Sequence, residues 1–262
     1  MSAAPIGVFD SGIGGLSILH SIRQLLPDED LIYVADSAHA PYGPKGEEFI
    51  RQRSLHIMQY LAHRQVKAVV VACNTATAAA IAVLRERYAI PLIGVEPAIK
   101  PAAEQSLSGV VGVLATSGTI ASDKFLTLQS RFSGQTQILT RAGTGLVELI
   151  EQPQIDEAAV LALLESFIKP MQNKGADTLV LGCTHYSLIR SQIAKVAGPD
   201  MKIVDAGTAV AKELQRRLLT HGLNSLTPAS HPVSFVSSGD LAVQQRLLAR
   251  YWPESAAVTA LV

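Results

Sequence analysis

Net charge, long apolar runs and cysteine are all scarce in this chain. Lys plus Arg and Asp plus Glu number 22 each among 262 residues. No bulk charge therefore points to nucleic acid or to an anionic membrane surface. No apolar run approaches the roughly 18 residues that a membrane span needs. Met1 to Pro5 carry no basic residue, and Asp10 ends the short apolar stretch that follows, so no secretory signal is expected. A complete dinucleotide loop is missing too. Gly12-Ile13-Gly14-Gly15 follows an apolar run, but Ser17 stands where the third glycine of G-x-G-x-x-G belongs. Hydrophobic residues make up 48% of the chain and charged residues 17%, which is the composition of a compact soluble protein with little disorder. A cytoplasmic location is expected, where the chain's two cysteines would be free thiols rather than a disulfide.

Those two cysteines organise the rest. Ala68-Val69-Val70-Val71-Ala72 runs straight into Cys73-Asn74-Thr75, and an Ala-rich helical pattern follows. Thr178-Leu179-Val180-Leu181-Gly182 runs into Cys183-Thr184-His185-Tyr186 in the same way. Ile6-Gly7-Val8 is echoed by Val111-Gly112-Val113, and Val95-Glu96 by Val204-Asp205. The three pairs are separated by 105, 110 and 109 residues for the glycines, the cysteines and the valines. Offsets this similar and this long imply two duplicated units rather than a solenoid of short repeats.

The pattern along the chain is strand, loop, helix, repeated. Strands are expected at 5–9, 31–35, 68–72, 91–95, 110–114, 137–142, 178–181, 202–204 and, as the last, 233–236. Helices are expected at 16–26, 47–65, 75–88, 121–132, 146–151, 156–173, 208–221 and 240–251. Segments 37–46 and 116–119 read as loops. Solidly apolar strands alternating with helices imply α/β architecture: two pseudo-symmetric parallel-sheet units with the site in the cleft between them. The first unit is expected to comprise residues 1–97 plus 208–262, and the second residues 98–207.

Ligands of open parallel sheets collect at the carboxyl ends of the strands. Each polar cluster here falls at such an end: Asp10-Ser11, Asp36 with Tyr42-Gly43, Cys73-Asn74-Thr75, Thr116 to Thr119, and Cys183-Thr184-His185. Each cysteine also precedes a helix, whose positive N-terminus favours a thiolate, and such sites lower a thiol from about 8.5 to roughly 3.5–7.5. The plainer readings are a small buried hydrophobe for each cysteine, a helix cap for Asp10, a turn residue for Tyr42, and a structural role for His185. Two cysteines at equivalent strand ends, both followed by small polar residues, favour chemistry over packing. A zinc site from Cys73, Cys183 and His185 lacks close ligand spacing and a fourth ligand.

Four motifs, in this order, carry a resemblance: Asp10-Ser11-Gly12-Ile13-Gly14-Gly15, Pro41-Tyr42-Gly43, Cys73-Asn74-Thr75-Ala76, and Gly182-Cys183-Thr184-His185-Tyr186. With them the chain resembles the glutamate racemases of the aspartate/glutamate racemase family, from Ile6 to about Leu248. Thr184-His185-Tyr186 favours the glutamate over the aspartate branch. The resemblance implies a metal-free, cofactor-independent two-base racemase that supplies D-glutamate for peptidoglycan. It implies Cys73 as the base toward D-glutamate, assisted by Asp10, and Cys183 as the base toward L-glutamate, assisted by His185 and Glu151. Substrate contacts are implied for Asp10, Ser11, Pro41, Tyr42, Gly43, Asn74, Thr75, Thr116, Thr119, Thr184 and His185. Glutamate would be the partner, a homodimer is left open, and neither nucleic acid nor membrane is implied. Ser187, Ala206 and the Arg141-Ala142-Gly143-Thr144 stretch before Glu151 depart from the family pattern. A non-catalytic amino-acid-binding protein with the same cleft, and a racemase of aspartate or another small amino acid, are the competing readings.

Overall fold

The structure is a computed structural model and describes residues 4–132, 134, 136–229 and 232–261. It contains two parallel sheets. The first has six strands: β1 (Ile6–Asp10), β2 (Leu31–Ala35), β3 (Ala68–Val71), β4 (Leu92–Gly94), β9 (Ser234–Ser237) and β10 (Val258–Ala260). Their order is β10-β9-β2-β1-β3-β4. The second has four: β5 (Val110–Ala115), β6 (Gln137–Ala142), β7 (Thr178–Gly182) and β8 (Lys202–Val204), in the order β6-β5-β7-β8. The central run β2-β1-β3-β4 of the first sheet thus has the same order as the whole second sheet. Gly7 lies on β1 and Gly112 on β5, the second strand in each of these runs; Cys183 directly follows β7, and Cys73 follows β3 after Ala72 alone.

The inner strands are buried on both faces, which is why their sequences are apolar throughout rather than alternating. Ile6 and Val8 of β1 belong to one core with Leu16, Leu19 and Ile22 of α1 (Leu16–Leu25), and with Val210 and Leu214 of α11 (Gly207–Thr220). Phe9 faces the opposite core, with Ile57 and Leu61 of α2 (Glu47–His63) and Ala76 and Ala80 of α3 (Asn74–Arg87). The second sheet repeats this, with Leu114, Leu179 and Leu181 on one face and Val111, Val113 and Val180 on the other. Each such fully buried aliphatic side chain stabilises the fold by about 1.5–3 kcal/mol relative to exposure.

Several expectations are corrected. The segment after β4 contains α4 (Ile99–Gln105), in which Pro101 sits in the first turn, where its missing N–H costs no hydrogen bond. Thr116 to Thr119 is not a loop: Thr116 caps the one-turn helix α5 (Ser117–Ile120) by accepting from the Thr119 N–H at 3.2 Å. The helix at 121–132 is shorter, α6 (Asp123–Ser130), because Ser122 caps it from the Phe125 N–H at 3.2 Å. Helix α2 stops at His63, since Gln65 turns the chain with φ of 55°. The strand at 233–236 is not the last: β10 pairs in parallel with β9 and forms the sheet edge. The remaining helices are α7 (Leu146–Ile150), α8 (Glu157–Gln172), α9 (Thr184–Leu188), α10 (Arg190–Ala197) and α12 (Leu241–Tyr251). No helix of the described residues is long and apolar enough to cross a membrane.

Candidate active site

The carboxyl ends of the two sheets meet along one seam, and the polar clusters come together there. Asp10 ends β1, and its side chain is fully buried. One oxygen, Oδ1, accepts from the Ser11 N–H at 2.7 Å and from the Ser11 hydroxyl at 3.3 Å. The other, Oδ2, accepts from the Thr184 hydroxyl of the second unit at 3.0 Å. Burial raises the Asp10 carboxyl above its ordinary value, against the opposing effects of the His185 charge and the hydrogen bonds from Cys73, Ser11 and Thr184.

Cys73 caps the 14-residue α3. Its sulfur accepts from the Ala76 N–H at 3.4 Å, and its thiol donates to the Ser11 hydroxyl at 3.8 Å. The helix N-terminus was expected to lower this thiol. Burial outweighs it: the Cys73 thiol is pushed well above its ordinary value by desolvation and then by the Asp10 charge, and the Ala76 N–H only moderates this. The charge of Cys183 adds to the same rise.

Cys183 has different company. Its helix, α9, is only five residues long, and its sulfur makes no capping bond. Instead its Sγ lies 3.8 Å from His185 Nδ1, and His185 Nε2 lies 2.7 Å from Glu151 Oε1. Burial alone would pull the His185 imidazole down. The hydrogen bonds and charges of Cys183 and Glu151 together outweigh it and hold the imidazole well above its ordinary value. His185 therefore lies buried between the Cys183 sulfur and the Glu151 carboxylate, and both contacts favour its protonated form. Glu151 is fixed from the first unit, since the same Oε1 accepts from the Ile13 N–H at 2.7 Å. Tyr186 reaches back to the altered stretch before Glu151 with a hydroxyl bond to the Gly143 carbonyl at 3.1 Å.

The loop glycines have a steric reason. A Cβ on Gly12 would overlap Glu151 Oε1, and one on Gly14 would overlap the His185 ring. These two positions need glycine because the His185 and Glu151 side chains lie against them, not because a nucleotide phosphate does.

The other expected residues fall around the same seam. Thr75 Oγ1 is 2.9 Å from Thr116 Oγ1 and 3.3 Å from Thr119 Oγ1, and the Thr116 hydroxyl donates to Thr119 at 2.9 Å. Asn74 is buried, and its Nδ2 has no hydrogen-bond partner among the described residues, so it is a donor open to a ligand. The Gly43 carbonyl accepts from the Ser117 hydroxyl at 3.4 Å across the seam. Tyr42 is buried and its hydroxyl donates at 2.6 Å to Asp36, away from the hydroxyl cluster. Pro41 lines a cavity of about 360 Å³ together with Glu151, Ala38 and Asp240. Among the described residues no group of three or more His, Cys, Asp and Glu side chains is arranged to hold a metal ion.

Sequence reasoning missed three participants. Tyr33 donates its hydroxyl to the Gly12 carbonyl at 2.6 Å and so fixes the glycine loop. Ser17 donates to the Thr184 carbonyl at 3.2 Å, tying α1 to α9. The Ile13 N–H orients Glu151. Only Tyr33 carried a signal, a polar tip on an otherwise apolar strand next to β1.

A family model described as Asp/Glu/Hydantoin racemase matches residues 6–214. The chain belongs to that family. It is 48% identical over 258 residues to a protein named glutamate racemase from Ectopseudomonas mendocina (strain ymp), covering 98% of each chain. It is 51% identical over 249 residues to one of the same name from Methylococcus capsulatus, covering 95% of this chain and 92% of that one. Among solved structures it is similar to glutamate racemase isoform RacE1 of Bacillus anthracis, with a TM-score of 0.89 and 31% identity over 99% of this chain and 97% of that one. It is also similar to Escherichia coli glutamate racemase in complex with L-glutamate and the activator UDP-MurNAc-ala, with a TM-score of 0.87 and 33% identity over 98% of each. Both likenesses extend the two-sheet α/β architecture over nearly the whole chain.

Proposed function

We propose that the chain is a glutamate racemase that inverts Cα with two thiols and without a cofactor, and that it supplies D-glutamate for peptidoglycan synthesis in the cytoplasm. The observation that carries this reading is the pairing of each buried cysteine with its own proton partner: Asp10 beside Cys73, and the His185–Glu151 pair beside Cys183. The proposed lobes are residues 1–97 with 208–262, and residues 98–207.

Stereoinversion needs an acid on one face of Cα and a base on the other, each suited to its proton. With L-glutamate, the Cys183 thiolate takes the Cα proton; the C–H bond breaks, an S–H bond forms, and the electron pair passes into the α-carboxylate. The Cys73 thiol then gives its proton to the opposite face and is left as the thiolate. D-glutamate runs the same steps backwards. Burial favours the protonated form of Cys73, which suits it to deliver a proton, and Asp10, whose proton affinity burial also raises, is the donor that returns a proton to the spent Cys73 thiolate. The His185 cation is the counter-charge for sulfur on the other wall. Asn74, Ser11, Thr75, Thr116, Thr119 and Thr184, with the Pro41-Tyr42-Gly43 loop, hold the amino and carboxylate groups. Fixed donors in a dry site stabilise developing carboxylate charge more than water does.

Circular dichroism of each glutamate enantiomer, with protein dialysed against chelator and no added cofactor, tests the reading. Both signals should decay to zero. No decay, or decay that requires added metal or pyridoxal phosphate, contradicts it.

A further inference from the structure

Asp36 directly follows β2, next to the strand that ends in Asp10, and its side chain is fully buried. None of the chemistry above uses it, yet it has more polar partners than any thiol partner at the seam. Arg53 of α2 grips it as a fork, Nε to Oδ2 at 2.9 Å and the terminal nitrogen to Oδ1 at 2.8 Å. The Tyr42 hydroxyl donates to Oδ2 at 2.6 Å, and His39 Nδ1 lies 3.0 Å from Oδ1. Asp36 thereby gathers a helix and both ends of the 37–43 loop onto one carboxylate.

The next residue, Gly43, is where that loop touches the second unit. Its carbonyl accepts from Ser117, and a Cβ on Gly118 would come within 2.7 Å of that same oxygen. A Cβ on Gly43 would lie 3.1 Å from Thr116 Cβ. The Tyr42 phenol is committed to Asp36, so the backbone of 42–43 is what the loop offers to the cleft, and its position follows from where the phenol is held. We propose that Asp36 and Arg53 are positioning residues that set the Pro41-Tyr42-Gly43 loop against the Thr75–Thr116–Thr119 hydroxyl cluster, and so govern how tightly glutamate is held. This rests on the racemase reading. A buried carboxylate is costly unless it is paired and hydrogen-bonded, and a forked pair fixes direction as well as charge. Burial would raise the Asp36 carboxyl, but Arg53, Tyr42 and Ser238 outweigh it and hold it below its ordinary value, as an anion.

The test uses the full chain and the dichroism assay with both enantiomers, on wild type, Asp36→Asn, Arg53→Lys and the Asp36→Asn/Arg53→Ala double variant. Interactions made equally in the ground and transition states appear in KM, so KM should rise about tenfold for both enantiomers while kcat stays within about threefold. Because the two residues act as one unit, the double variant should be no more than about twofold worse than the poorer single change. A merely structural role would lower the active fraction, and with it kcat, and leave KM unmoved. Arg53 is a fifth exposed on its helix, so Arg53→Lys decides the matter if Asp36→Asn does not fold. Wild-type racemisation with KM within twofold in folded Arg53→Lys overturns this inference alone. Wild-type protein that leaves glutamate unchanged overturns the racemase reading and this inference with it.

Discussion

Glu151→Gln isolates the charge that holds His185. In the structure one oxygen, Oε1, accepts from both His185 Nε2 and the Ile13 N–H at 2.7 Å. Glutamine has nearly the same shape and can keep a carbonyl oxygen in that place, so the geometry is retained and the charge is lost. A hydrogen bond to a charged group contributes about 1.5–3 kcal/mol, against about 0.5–1.5 kcal/mol for a neutral one. The change therefore removes about 1–1.5 kcal/mol from the His185 imidazolium. At about 1.4 kcal/mol per tenfold, kcat/KM should fall about tenfold. The two enantiomers have equal free energy, so the loss in kcat/KM must be the same in both directions. The pH dependence gives a second reading. His185 is raised in the fold, so the protonated form and what depends on it are present below its folded value and lost as pH rises through it. Removing the Glu151 charge removes one of the groups that raise it. The alkaline limb of the kcat/KM profile should move to lower pH. Initial rates by dichroism across pH, for both enantiomers, are sufficient. A variant within twofold of wild type, or an unmoved alkaline limb, refutes the assignment of Glu151 as the partner that holds His185 charged.

Two further outcomes follow from the same geometry. Gly14→Ala puts a methyl into the His185 ring; overpacking of this kind costs about 1–3 kcal/mol, and kcat/KM should fall by about 10–100-fold. Gly46→Ala, whose Cβ meets nothing within 4 Å, should be indistinguishable from wild type, and equal losses in both would sink the steric explanation. Asp36 is held below its ordinary value of 3.8, so its contribution to stability is complete above that value and lost as pH falls through the folded one. Asp36→Asn should be less stable by about 3 kcal/mol at pH 7. Thermal unfolding from pH 7 downward should show that gap shrinking only below about pH 4, and a gap that is constant to pH 2 speaks against an ionised Asp36.

The parts of the fold governed by local periodicity were legible in the sequence. Ala68 to Val71 and Thr178 to Gly182 are buried on both faces, and near-continuous apolar runs of that length are what an inner parallel strand shows. What lies at the sheet edges was not. Val258–Ala260 is three residues long and largely exposed, so burial does not pattern it, and α4 was hidden by Pro101, which a first helical turn tolerates. At the site, residues adjacent in sequence to the cysteines were visible. Partnerships across the seam were not: nothing in the order of residues says that Glu151 will meet the Ile13 N–H, or that Arg53 will reach back to Asp36. The charge state of Cys73 shows the same limit. A helix N-terminus is readable from Cys73-Asn74-Thr75, but the desolvation that opposes it depends on residues brought from elsewhere in the chain.

The central claim is that two different thiols serve the two faces of Cα. Wild-type protein in deuterated water, started from one enantiomer and sampled at low conversion, tests it most directly by mass and chirality of the recovered glutamate. Two opposed thiols place solvent deuterium at Cα of nearly all the product, because the proton delivered comes from the far thiol, while unreacted substrate keeps its protium. Cys73→Ala and Cys183→Ala should each abolish the conversion. Product that retains the substrate's own protium, deuterium appearing equally in substrate and product from the start, or near-normal racemisation by either alanine variant would contradict the two-thiol account.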